Sequence, residues 1–290
     1  MSPLGAQMTG LMGAAGSAVA STNAFNTSVD PEFHFDATMV DGSSTAAEDN
    51  PVNGQIFDGT TDTDNPTGGV WTSRVGSAVT TAQGTASLQP TYYTSGTNSQ
   101  PYFDWSLDYL AIDPATTYSG AFTNFAVMEQ GDATGRYLVL GGRNVNNGQG
   151  IVWFAHSNGT DYYWFQSSGY VTEDRVSMPS AVGGTNEADY TDVTRMYLMT
   201  RATDNTLNLF ADGNNTNTDA APTRSTDVEQ DFLGRSGLAG YSVTGHIYEV
   251  AFWDSDLSTA DRNAVVSYVN SKYGVGRNAD DSGDLARVTF

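Results

Sequence analysis

Residues 245–275, GHIYEVAFWDSDLSTADRNAVVSYVNSKYGV, hold the change of period that decides the fold. The segment HIYEVAFW at 246–253 is a run of aromatic and β-branched residues bounded by Gly245 and by a polar stretch, the mark of a strand. The period then changes. Ser258 or Asp256 can cap a helix whose apolar stripe is Val265, Val266, Tyr268 and Val269, with Lys272 in its last turn and Gly274 beyond its end. One strand followed by one helix is therefore expected here, the helix lying on the edge of a sandwich.

Upstream, the sequence is strand-like from Asp30 onward. EFHFDA (32–37), YFDWSLDYLAI (102–112), FTNFAVMEQ (122–130), RYLVLGG (136–142), GIVWFAH (150–156), DYYWFQ (161–166), RMYLMTRA (195–202) and TLNLFADG (206–213) are short apolar or alternating runs. Clusters of Gly, Asn, Asp, Thr and Ser separate them, and Asn158-Gly159 suits a hairpin turn with positive φ. The expectation is an all-β, mainly antiparallel domain over 30–275, with no internal repeat and no clean linker. Residues 1–29 are rich in Gly, Ala, Ser, Thr and Met, with no aromatic before Phe25 and no charge before Asp30, so they are expected to form an anchoring arm. Residues 276–290 read as a polar tail.

The 290 residues carry 12 Lys and Arg against 33 Asp and Glu, a formal charge of −21 that disfavours nucleic acid and anionic membrane surfaces as partners. The acids are 26 Asp and 7 Glu, the bases 11 Arg and one Lys, Lys272. A helix-poor chain explains part of the missing Lys and Glu, and adaptation to a saline exterior explains more. At about 1 M salt the screening length falls to roughly 3 Å, so such a surface hardly repels itself. There is no cysteine, which removes disulfides and thiolate metal sites. No stretch approaches the roughly 18 apolar residues of a membrane span, so membrane insertion is not expected.

The C-terminal block resembles the ending of the laminin-G-like jelly rolls of the concanavalin A-like lectin/glucanase superfamily. Gly245, Ile247, Glu249, Val250, Leu257, Ser258, Arg262, Tyr268, Lys272, Tyr273 and Gly274 fit it. FHFDATMVDGSS (33–44) is similar to the family's first strand with its Asp-Ala, and LQPTYYTSGTNSQPYFDWSLDYLAI (88–112) to its Gln-Pro-x-Tyr, Pro-x-Phe-Asp and Asp-x-Leu run. TLNLFADG looks like the family hairpin that follows a long strand. Trp105 stands where the family usually has Gly, a departure expected to alter a local turn. The resemblance spans about 30–275 and implies an antiparallel two-sheet jelly-roll sandwich with one short C-terminal helix.

That fold carries glycosidases, lectins and spacers alike, so the site must decide. Retaining glycosidases need two carboxyls about 5 Å apart. No Glu pair has the required spacing, and Glu187-Ala-Asp189 and Glu129-Gln-Gly-Asp132 sit in turn-like sequence, so no catalytic residue is assigned and no enzyme is expected. His34, His156 and His246 fall on different strands without ligand spacing and read as surface or half-buried histidines rather than a zinc site. No cofactor is required. The candidate calcium set is Asp212, Asn214, Asn217 and Asp219 in one short loop, a pattern that also suits a hairpin turn in an Asp-rich chain. Trp153, His156, Tyr162 and Trp164, on the hairpin 150–170, are the candidate glycan or interface residues, with ordinary core packing as the competing account. Asn26, Asn158 and Asn214 each begin an Asn-x-Ser/Thr sequon.

These features lead to one expectation and one rival. The expectation is a non-enzymatic virion structural protein of a phage or archaeal virus, a capsid decoration, turret or tail fibre. It would be homo-oligomeric, bound to other virion proteins through residues 1–29, and would display a lectin-like domain to host surface glycans in a halophilic or marine setting. The rival is a secreted or cell-surface carbohydrate-binding module, with a glycoside hydrolase behind both.

Overall fold

The computed structural model describes residues 23–40, 55–56, 71–75, 80–95, 99–106, 108–118, 120–130, 136–141, 152–157, 161–166, 194–211, 214–219, 228–234 and 244–274. Fifteen strands and one α-helix are found there: β1 (Phe33–Asp36), β2 (Gln55–Ile56), β3 (Thr80–Ala82), β4 (Thr91–Tyr93), β5 (Tyr102–Ser106), β6 (Leu110–Tyr118), β7 (Phe122–Gln130), β8 (Arg136–Gly141), β9 (Val152–Ser157), β10 (Asp161–Gln166), β11 (Thr194–Arg201), β12 (Leu207–Ala211), β13 (Asn214–Asp219), β14 (Val228–Leu233), β15 (Thr244–Trp253) and α1 (Thr259–Tyr273). The nine-stranded sheet runs β13-β12-β11-β7-β15-β5-β4-β2, with β1 also paired to β15, and the six-stranded sheet runs β10-β9-β8-β14-β6-β3. The pairings are antiparallel, and the fold is the expected all-β, two-sheet jelly-roll sandwich.

Alternation along β7 shows how the sequence builds two cores from one sheet. Phe122, Ala126 and Met128 point into the sandwich, where they meet Leu110, Ile112, Leu140 and Leu233 of the smaller sheet. Phe125 and Val127 point outward, to a second core formed with Tyr248, Ala251, Trp253 and the helix residues Val265, Val266, Val269 and Tyr273. Helix α1 therefore covers the outer face of the nine-stranded sheet rather than its edge. That sheet is apolar on both faces because each has a layer to bury against.

The helix forms as its local signals require. The Ser258 side chain accepts from the Asp261 backbone N–H, and Gly274 closes the end with φ 69°, its N–H donating to the Asn270 carbonyl. Its position depends on β15. A register shift between Ile247 and Glu249 makes Tyr248 an extra residue, so Ile247, Val250 and Phe252 face inward while Tyr248 and Glu249, although adjacent, both face the helix side. One half of β15 pairs with β5 at Thr244–Ile247 and the other with β1 at Glu249–Phe252.

Two further sequence expectations change. The body does not start at residue 30: Phe25 is 1% exposed, packed against His34, Phe125, Trp253 and Tyr268, and Ser28 bonds through its backbone N–H and hydroxyl to the Asp261 carboxylate. The lone aromatic in a small-residue segment is what docks it. Residues 1–22 of the arm and the whole tail, 276–290, lie outside the described residues. Trp105, in turn, does not alter a turn. It lies within β5, fully buried, and its ring fills the space that a Cβ on Gly234 would occupy, 2.4 Å away.

Candidate functional site

The outer face of the nine-stranded sheet holds two polar constellations, one beneath α1 and one beside it. Beneath the helix, β1 contributes His34 and Asp36 and β15 contributes Glu249, all fully buried. Lys272 in the last turn of α1 donates to Asp36 at 2.7 Å, to Glu249 at 3.0 Å and to the Tyr268 hydroxyl at 2.9 Å. Tyr268 and Tyr273 donate to the two Glu249 oxygens at 2.7 and 2.6 Å, His34 Nε2 pairs with Glu249, and Arg74 pairs with Asp36. Thr38 completes the set by donating its backbone N–H and hydroxyl to Asp36.

Two buried carboxylates thus face two cations and several fixed donors. Burial alone would raise the Asp36 carboxyl, but Lys272, His34 and Arg74 outweigh it and hold the group well below the usual range. Glu249 is lowered in the same way: burial opposes, and Lys272 and His34 prevail over the repulsion of Asp36. The Tyr268 and Tyr273 hydroxyls are pushed far up by burial and by Glu249 and Asp36, so they stay protonated donors. His34, Asp36 and Glu249 offer ligand atoms within 4.8 Å of one another. The fit to a divalent ion is poor, since Lys272 and Arg74 already neutralise the carboxylates. The constellation is a clamp that ties β1, β15 and α1 together.

Beside the helix, a strip of the same face is partly exposed. Register sets Thr194, Glu129, His246, Asp104 and Thr91 in one cross-strand row over β11, β7, β15, β5 and β4. The next row places Tyr102 opposite Tyr93. The Tyr93 and Tyr102 rings stack at 5.2 Å and 17°, and Tyr102 lies 4.0 Å from the His246 ring. All three are partly exposed, and so is Asp104. Buried Glu129 pairs with His246 Nδ1 at 3.2 Å and accepts from Tyr248 at 3.1 Å and Thr194 at 3.2 Å. The His246 bond is the largest of the causes that lower its carboxyl, so it is ionised at neutral pH. Glu129 is a strand residue in β7, not the turn residue the sequence suggested.

The residues singled out by sequence fall elsewhere. Trp153, His156, Tyr162 and Trp164 are on β9 and β10, where His156 pairs with Tyr162, Phe154 with Trp164 and Trp153 with Phe165. Asn214, Asn217 and Asp219 are in strand β13 rather than a loop, and Asp212 lies outside the described residues. A register shift in that pairing sets Asn214, Asn217 and Asp219 opposite Ala211, Leu209 and Leu207. His34 is fully buried and His246 half-buried, each with a carboxylate partner.

Sequence reasoning missed both constellations as units. Most of the clamp was present in two of the three blocks that carry the resemblance: His34 and Asp36 in the first, Glu249, Tyr268, Lys272 and Tyr273 in the last. The strip had a weaker signal, alternation that sets Tyr93 and Tyr102 on the face opposite Tyr92 and Phe103.

No protein-family model matches the chain, and no curated protein matches it. Solved structures do. Domain 4 of AbnA, an extracellular arabinanase from Geobacillus stearothermophilus solved with arabinotriose, is 12% identical over 82% of this chain and 97% of its own, with a TM-score of 0.49. The sialyllactose-bound CBM40 domain of the Ruminococcus gnavus IT-sialidase is 12% identical over 52% of this chain and 84% of its own, with a TM-score of 0.38. NanB sialidase of Streptococcus pneumoniae is 15% identical over 49% of this chain at a TM-score of 0.38, and the chain spans only 23% of its length.

Proposed function

We propose that the chain is a non-catalytic β-sandwich that binds saccharides on the outer face of its larger sheet, through Tyr93, Tyr102, His246 and Asp104. The observation that carries this reading is the partly exposed aromatic row. Elsewhere on that face helix α1 and residues 23–29 bury the apolar side chains, whereas here the stacked Tyr93 and Tyr102 rings and the tilted His246 ring next to them remain partly exposed beside a carboxylate. Such a surface offers π faces for sugar C–H groups and acceptors for sugar hydroxyls. Glu129 supports a binding role over a hydrolytic one. A general acid needs a raised pKa, and Glu129 is lowered.

The setting we infer is the exterior of a virus particle in a saline environment. One lysine in 290 residues, a charge of −21 and a small-residue N-terminal segment support it. Residues 23–29 are engaged with their own body, so anchoring to other virion proteins falls to residues 1–22. A cell-surface carbohydrate-binding module shares the same site and differs only in setting.

A glycan array probed at about 1 M salt tests the binding role. Wild type is expected to select a small group of glycans, Tyr102→Ala to lose them and Trp164→Ala, on the β9–β10 hairpin, to keep them. Loss with Trp164→Ala alone would move the site to that hairpin, and no selection by wild type would end the saccharide reading.

A further inference from the structure

We propose that the strip selects saccharides carrying a free amino group, with the ammonium held at Asp104 against Tyr102. This rests on the strip being a saccharide site and adds the class of sugar. Within the two rows, the described positions on β11, β7, β15, β5 and β4 include two carboxylates, Glu129 and Asp104, and no Arg or Lys. The two acids differ in what they already do. Glu129 is engaged by His246, Tyr248 and Thr194. The Asp104 carboxylate has no hydrogen-bond or ion-pair partner among the described residues, although it is half-buried beside the stacked rings.

A half-buried carboxylate next to an aromatic ladder suits a cation better than a neutral hydroxyl. An ammonium gains a charge-assisted hydrogen bond from the carboxylate and attraction from a ring face in the same position. The field at the rings has the matching sign: burial first, then the charges of Asp104 and Glu129, raises the Tyr102 hydroxyl. N-acetylation removes the ligand's charge, and a uronate or sialate carboxylate would be set against Asp104 and Glu129. The overall −21 further depletes anionic ligands near the surface.

Calorimetric titration of the full chain with glucosamine, N-acetylglucosamine and galacturonate tetramers, at about 0.1 M and about 1 M salt, tests this. The glucosamine tetramer is expected to bind about 10-fold or more tightly than the N-acetylated one at low salt, with galacturonate weakest. Asp104→Asn is expected to reduce that preference to within about twofold, by weakening the amine tetramer more than the N-acetylated one. This substitution changes the net charge by one, so a preference due only to the protein's general acidity would survive it. Survival of the preference in Asp104→Asn, with unchanged circular dichroism, overturns the proposal. So does equal affinity for the amine and its acetylated form, or preference for galacturonate. If other array glycans bind through Tyr102 while the glucosamine tetramer does not, the amine selectivity fails and saccharide binding stands. If no glycan binds, both fail.

Discussion

Lys272 is the only lysine of the chain, and the fold spends it inside rather than at the surface, at 15% side-chain exposure. Removing one member of a buried charge set leaves the others uncompensated, which costs about 3–5 kcal/mol. Lys272→Met is therefore expected to lower the unfolding free energy by about that amount in chemical denaturation. The same clamp sets an acid limit. Asp36 and Glu249 are both held below their ordinary values, so the stability they add is present in full above the unfolded carboxylate range, about pH 4 to 4.5, and drains away as pH falls through the lower folded values. Denaturation midpoints should stay level from about pH 7 to 5 and drop steeply below about 4, with a shallower drop in Lys272→Met. At Gly234, φ is 79° and Trp105 occupies the space of the absent side chain. Gly234→Ala is expected to cost about 2–4 kcal/mol through overpacking and a left-handed backbone together, read as a lowered thermal midpoint.

At the scale of elements, what was legible in the sequence depended on how local its cause was. Helix α1 was readable in full because Ser258, the valine stripe, Lys272 and Gly274 act within one short stretch. Gly274→Ala, at φ 69°, is expected to cost about 1 kcal/mol and no more, since nothing packs where its Cβ would go. Where the helix lies was not readable from that stretch. It follows from the extra residue at Tyr248, which turns Glu249 toward Lys272 and Tyr273, and a period-two reading of HIYEVAFW passes over it. The docking of residues 23–29 was hidden for a similar reason, because one aromatic among small residues predicts an arm until its pocket of His34, Phe125, Trp253 and Tyr268 is assembled from four distant stretches. Phe25→Ala should cost about 3–5 kcal/mol if the segment belongs to the body, and proteolysis near residue 25 should speed up accordingly. The strip beside the helix was the least legible part. Tyr93, Tyr102 and His246 lie on three separate strands, and only register brings them together.

Across the whole molecule, helix α1 covers part of the larger sheet's outer face, and the partly exposed strip beside it is where we propose that the ligand binds. The −21 charge and the buried clamp act at different ranges. Surface repulsion is screened by salt, while the clamp, out of water, is screened far less. Thermal midpoints are thus expected to rise between about 0.1 M and about 1 M salt, with a similar rise in Lys272→Met from a lower start. The binding claim is tested most directly by a crystal structure of the chain with the best-binding array oligosaccharide. The expected result is the sugar on the outer face of the nine-stranded sheet, touching Tyr93, Tyr102 and Asp104. A sugar bound on the six-stranded sheet, at the β9–β10 hairpin or away from these residues would contradict the account.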